Sequence, residues 1–221
     1  MTRARELADL GGSADAGGIT GKNLIINGNL TCSQRGTSFA ATSSQLLTLD
    51  RWYCSAGASG NLAVTQQSFT VGQTDVPNEP KNYVRLTCTN TPSDPVFGQK
   101  IEDVRNGAGQ TVTLSFWAKA DSAKTFTEGG YFQQIFDSVS SNVTINIGSW
   151  SVTTSWQKIT ITTSLPSING KTLGFNSYLD FRLDTNNNEN VVLDIANVQL
   201  ELGSSATPFE HESYAETLRK C

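Results

Sequence analysis

Charge is scarce in this chain. Only 16% of its 221 residues are Asp, Glu, Lys or Arg, where an ordinary globular domain carries about a quarter. The formal net charge is −4. No basic excess is present to replace the counterions of a phosphate backbone, so nucleic acid is excluded as a partner. Histidine is almost missing: His211 is the single one, and no Cys/His spacing of metal-site type occurs. Most zinc and imidazole chemistry is thereby removed. No apolar run reaches the ~18 residues of a membrane span, and the amino end has no apolar stretch of signal-peptide type. Neither membrane insertion nor secretion is expected. The four cysteines, Cys32, Cys54, Cys88 and Cys221, stand far apart. Two bridges are possible on paper, but free thiols packed as small hydrophobes in a reducing cytoplasm are the expectation.

Uncharged polarity fills the gap. Ser, Thr, Asn and Gln make up 77 of the 221 residues. With 37% hydrophobic residues and 19 aromatics, the chain can still bury a core and is not disordered. Residues 2–10 read as a short helix opened by Thr2, and Gly11–Gly18 as a flexible linker, both within a leading segment 1–22. From Asn23 onward, β-type runs follow at 23–31, 48–56, 61–71, 82–89, 95–101, 111–119, 131–137, 143–149, 155–163, 172–183 and 189–202. Turn formers such as Asn106-Gly107 and Asn169-Gly170 separate them. No helical period persists over three turns, so residues 23–203 read as a β-sandwich or barrel. Thr and Ser at outward strand positions explain the composition. In the last run, Val191, Leu193 and Ile195 share one parity, while Val198, Leu200 and Leu202 share the other. A β-bulge at Ala196-Asn197 reconciles them. Residues 204–221 form a polar, then helix-like, tail that stops at Cys221.

Catalytic motifs are missing. His211 has no recognisable nucleophile beside it. Asp50, Glu128, Asp137, Asp180, Asp184 and Asp194 could supply a carboxylate pair for glycoside hydrolysis, but turn and salt-bridge roles are the plainer reading. No enzyme is expected. The aromatics offer more. Trp117 and Trp156 are expected in the core. Trp52, Tyr53, Trp150 and Tyr178 lie nearer run ends and are the candidate ligand-binding residues, with a core role open for each. An aromatic face stacks on the C–H face of a sugar, and neutral sugars call for no charged site.

The stretches Asn23-Leu24-Ile25-Ile26-Asn27-Gly28-Asn29-Leu30, Gln34-Arg35-Gly36-Thr37 and Asp50-Arg51-Trp52-Tyr53 resemble the opening of a family of phage tail-fibre and receptor-binding domains. Val198-Gln199-Leu200-Glu201-Leu202-Gly203 with Ala206-Thr207-Pro208-Phe209-Glu210-His211 is similar to the end of that family. Thr113–Lys119 and Trp156–Thr160 resemble jelly-roll carbohydrate-binding modules. The resemblance spans about residues 20–215.

It implies a jelly-roll β-sandwich on a virion, in a tail-fibre or receptor-binding subunit. The implied partners are sibling chains in a homotrimer, other tail or capsid proteins, and host cell-surface polysaccharide. The leading helix would be the joint to the fibre. Family members continue past this Cys with Gln-Arg-Tyr-type residues, which implies a shortened or partial chain. No cofactor is expected apart from a structural calcium, which related modules hold between first and last strands. The matching positions are Gly28, Asn29 and Asp194, with Asn29 standing where a carboxylate is expected. Two other readings stay open: a ligand-free spacer or capsid decoration, and a glycan depolymerase.

Overall fold

Runs of Val, Ile, Thr and aromatic residues pair into two six-stranded antiparallel sheets. The computed structural model describes residues 22–41, 44–58, 60–186 and 189–221. The helix and linker expected over 2–18 lie outside them. Sheet A orders β1 (Ser38–Ala41), β4 (Asn61–Ser68), β5 (Asn82–Thr89), β14 (Val191–Leu202), β7 (Thr111–Ala120) and β12 (Gln157–Ser164). Sheet B orders β10 (Val143–Asn146), β9 (Gly130–Ile135), β13 (Tyr178–Asp184), β6 (Val96–Glu102), β3 (Trp52–Ser55) and β2 (Leu46–Leu47). A small pair, β8 (Lys124–Phe126) with β11 (Trp150–Val152), stands beside them. From β5 to β6 to β7, and again from β12 to β13 to β14, the chain crosses from one sheet to the other. That is a jelly-roll β-sandwich.

The core lies between the sheets and follows strand alternation. Val112, Leu114, Phe116 and Ala118 of β7 face Leu179, Phe181 and Leu183 of β13 and the rings of Phe97 and Phe132, all buried. Trp52 is fully buried and stacks on Phe97, with centroids 4.5 Å apart and planes 2° from parallel. Its indole N–H donates to Asn27 O at 3.1 Å, so the polar atom is paired inside the core. Trp150 closes the end of the sandwich against Phe116 and Phe126, and donates to Gly129 O at 2.9 Å. The cysteines are free, with Cys32, Cys54 and Cys88 buried and Cys221 exposed. Burial pushes the Cys54 thiol up to about 12.

The parity change in β14 becomes a register shift between Ala196 and Gln199, with Asn197 at φ +49°. Leu202 is an exception to the expected pattern, being 49% exposed at the strand end. The first expected strand, 23–31, is not one. Asn27 and Leu30 sit at φ +57° and +59°, so the run is a chain of turns. It still satisfies the edge of β14 that β5 leaves uncovered beyond Ile195. Leu24 N donates to Leu200 O, Val198 N to Gly28 O, and Asn23 Nδ2 to Val198 O. A Cβ on Gly28 would stand 2.1 Å from Val198 O, so this approach requires glycine.

The tail folds back over sheet A. Gln199 Nε2 donates to Pro208 O at 3.3 Å, and Glu210 N donates to Gln199 Oε1 at 2.7 Å. A helix, α1 (Tyr214–Lys220), follows, with Ser213 as its N-cap. Trp117 and Trp156, expected in the core, are half-buried and sit on the outer face of sheet A. Trp156 packs there against Phe69 and Tyr83, because odd positions of β7 and the residue before β12 point away from sheet B.

Candidate functional site

The outer face of sheet B carries a groove of about 740 Å³. Alternation builds it. Trp52 and Tyr53 are neighbours in β3, so one ring points into the core and the other out. Tyr53 stands on the outer face beside Lys100 of β6 and Tyr178 of β13, which also line the groove. Lys100 Nζ lies 5.2 Å from the Tyr178 ring centroid and 5.9 Å from that of Tyr53.

Beneath the groove floor is a buried polar chain. Tyr53 Oη donates to Asp180 Oδ1 at 2.7 Å, and Arg182 Nε donates to Asp180 Oδ2 at 2.8 Å. Asp180 is fully buried. Burial, and then the Asp180 carboxylate, push the Tyr53 hydroxyl far above its ordinary range, so it remains a neutral donor. This chain fixes the Tyr53 ring in place.

A loop and the edge strand β2 make the rim. Phe175 is 99% exposed and Leu47 is 59% exposed, and both line the groove. The Phe175 loop is held from below: Asn176 N donates to Asp137 Oδ2 at 3.1 Å, and Ser177 Oγ to Gly174 O at 2.8 Å. Across the groove, Arg51 pairs with Glu102 at 2.9 Å. Asp50 accepts from Gln34 Nε2 at 2.9 Å. The result is an apolar edge facing a set of hydrogen-bonding groups, which suits a polyol with one apolar face.

The expected ligand residues divide. Tyr53 and Tyr178 line the groove, but Tyr53 is itself only 2% exposed and acts as a floor, so of the two only the half-buried Tyr178 keeps ring surface for a ligand. Trp52 and Trp150 correct the sequence reading: they are 0% and 6% exposed, and neither ring has a face left for a ligand. Being near the end of a run did not expose them, because each lies on the inward parity of its strand. Among the groove residues that the sequence reading missed are Phe175, Lys100, Asn176 and the Arg51–Glu102 pair. Phe175 lies in a run expected to be strand from 172, whereas β13 begins at Tyr178. Its signal was a large apolar ring set between the turn formers Gly174 and Asn176.

The calcium positions do not form one site. Gly28 O accepts from Val198 N at 2.9 Å, and Asn29 Oδ1 accepts from Thr31 Oγ1 at 3.0 Å. Asp194 faces out from sheet A and gives both oxygens to Arg85, at 2.7 and 2.9 Å. It precedes Val198 by four residues, roughly 13 Å along a strand. The donor set therefore does not fit the ion. His211 is expected from the sequence to lack a catalytic partner. Its ring packs edge-on against Phe209 at 5.1 Å, and burial holds its pKa below the usual value.

The sequence matches no protein-family model and no curated protein. Solved structures with a similar strand arrangement include a CBM22 xylan-binding domain from Paenibacillus barcinonensis. It is 13% identical, with 83% of this chain and 96% of that one covered and a TM-score of 0.48. Another is the enzymatically active domain of tailspike protein 4 from bacteriophage CBA120, at 16% identity and a TM-score of 0.44. There 82% of this chain is covered but only 22% of the tailspike chain. A third is a cyclase from Fischerella sp. TAU, at 14% identity, 82% and 96% coverage, and a TM-score of 0.49. The jelly-roll assignment stands on the strand order described above.

Proposed function

We propose that this chain is a phage virion protein, a tail-fibre or receptor-binding subunit, that adheres to host-surface glycan through the groove on sheet B. The virion part of this reading rests on the sequence motifs quoted above. The adhesive part rests on one observation: Phe175, 99% exposed at the mouth of a groove floored by Tyr53 and Tyr178. A loop that holds a phenyl ring in water loses stability relative to burial, and an exposed apolar edge of this kind marks a contact surface. Phe175 and Tyr178 would stack on sugar faces. Lys100, Asn176 and the Arg51–Glu102 pair would hydrogen-bond hydroxyls.

Binding is non-covalent in this reading. Asp50, Asp180 and Asp194 are engaged by Arg35, Arg182 and Arg85 respectively, which suits structural carboxylates better than a hydrolytic pair. One shallow groove binds weakly, and a homotrimer, displayed in several copies on a particle, would multiply it through effective concentration. Titration of the chain with host-surface polysaccharide tests this. Saturable binding that Phe175→Ala weakens at least tenfold, with no release of reducing ends, is the expected result. No response from any host-surface glycan, in a chain whose trimeric mass light scattering has verified, would sink it.

The spacer reading has its own observation. Trp52 and Trp150 are core rings, so two of the aromatics that suggested a ligand are structural. Under that reading, Phe175 and Leu47 would be covered by a sibling chain. A trimer whose mass is unchanged by Phe175→Asp favours the groove over the spacer.

A further inference from the structure

A second hollow lies at the opposite end of the same sheet face. β13 starts at Tyr178 in the groove and ends at Asp184, about 20 Å away at the rise of a strand. There, a cavity of about 570 Å³ is lined by Asp94, Glu128, Asp184, Tyr131, Gln133 and Asn146, among others. That volume is within the ~300–1,000 Å³ of small-ligand sites. Gly130 shapes it. Its N–H donates to Glu128 O at 2.6 Å, and a Cβ there would stand 2.1 Å from Arg182 O. Only glycine lets β9 start this close to β13, and the turn sets Glu128 beside Asp184.

The hollow has excess negative charge. None of Asp94, Glu128 and Asp184 belongs to an ion pair among the described residues. Asp184 is only 8% exposed, it lines the hollow, and its Oδ1 has no hydrogen-bond partner. An unpaired buried acceptor of this kind is destabilising, and more so when charged. Burial first, then Asp94, with Glu128 and Asp180 adding to it, pushes the Asp184 carboxyl up to about 7. Arg182 opposes this shift, but its Nε is held by Asp180 at 2.8 Å and its guanidinium lies over Tyr131 at 4.9 Å.

The chemistry asks for a cationic donor. A metal dication needs several converging carboxylates, and among the described residues no three acidic, His or Cys side chains are placed to hold one. What the hollow offers is one buried carboxylate oxygen, two acids near it, and the amides of Gln133 and Asn146 beside the Tyr131 ring. A sugar ring bearing one ammonium satisfies this set: the ammonium donates to Asp184 Oδ1 while the amides take hydroxyls. We infer that this hollow is a subsite for an amino sugar whose amine is free and protonated. An N-acetylated sugar would desolvate Asp184 and return no charge. The inference rests on the glycan-adhesion reading for the sugar, but not for the charge, and involves neither Phe175 nor Tyr178.

The test is calorimetric titration of the full chain with a β-1,4-linked glucosamine tetramer and its fully N-acetylated counterpart, at pH 7 and low salt. The free-amine tetramer is expected to bind at least tenfold tighter. Asp184→Asn brings that ratio close to one, whereas Phe175→Ala leaves the ratio unchanged. Equal affinity for the two tetramers, no saturable binding of the free-amine tetramer, or a preference that survives Asp184→Asn overturns the assignment. Saturable Ca²⁺ binding lost in Asp184→Asn, without an amine preference, overturns it in favour of a metal site. Failure of the groove reading shows elsewhere, as host-polysaccharide binding that Phe175→Ala does not change.

Discussion

The two outer faces of this sandwich are built from the same kind of alternating strand, yet they are finished differently. On sheet A, Arg85, Asp194 and Lys119 stand side by side on three adjacent strands. Asp194 takes a two-pronged bond from Arg85 and has Lys119 Nζ at 3.9 Å. Lys119 also lies 5.2 Å from the Trp156 ring centroid, and Trp156 packs on Phe69 and Tyr83. The tail covers Gln199 and Glu201. The charged groups named on that face are all partnered, although the buried Asn197 Oδ1 beside Trp117 is not. On sheet B, Phe175 stands in water, Lys100 has rings but no ion pair among the described residues, and Asp184 Oδ1 has no hydrogen-bond partner. A face whose polar groups are mutually satisfied is part of the structure. A face that leaves them unsatisfied is available to a ligand.

Four substitutions press on that contrast. Trp52→Ala has the largest expected effect, a loss of about 3–5 kcal/mol in urea unfolding, since its ring is core. A stable variant that had lost only glycan binding would return Trp52 to the ligand site. Asp194→Ala is next, at about 2–3 kcal/mol. That is below the ~3–5 kcal/mol of a wholly buried pair, because the Arg85 side chain is 38% exposed. Glycan affinity should not change, and if it falls, sheet A is not merely structural.

Asp184→Asn should act in the opposite direction and depend on pH. The native carboxyl titrates near 7, raised from 3.8, so the folded chain holds a proton that the unfolded chain has released between those values. Native stability therefore declines as pH rises from about 4 to 7 on account of this group. The variant should gain about 2 kcal/mol at pH 8, short of the ~4 kcal/mol that three full pKa units would carry. At pH 4 it should gain nothing. Thermal melts at the two pH values measure this, and an equal gain at both would break the assignment. Phe175→Ala has the smallest expected energy, about 1.4 kcal/mol in binding, or tenfold in Kd, with the melting temperature unchanged. A fall in melting temperature would show that Phe175 packs against something and is not a free edge.

Strand alternation made most of the sandwich legible before any coordinate. The runs at 82–89, 111–119 and 189–202 lie over observed strands, and the bulge in β14 follows from a change of parity that only one extra residue reconciles. The failures are physical as well. The run 23–31 has strand composition, but two of its residues take positive φ, and it pairs with β14 through turns and the Asn23 side chain. The short strands β1, β8 and β11 are three-to-four-residue matters of partner availability, which composition does not report. The site was half legible. Tyr53 and Tyr178 lay among the aromatics that the sequence singled out, while Phe175 was hidden inside an overlong strand.

The sequence by itself determined the class of fold and which residues share a strand face. These follow from composition and a two-residue period, both local. Only the tertiary structure decided which of the two faces of each strand met the other sheet. It buried Trp52 and brought out its neighbour Tyr53. It brought Asp137 under the Phe175 loop, and Asp94, Glu128 and Asp184 around one hollow. Those placements depend on strand order and on which loops meet at a sheet's end, where residues tens of positions apart are held within a few ångströms, and no local pattern encodes that.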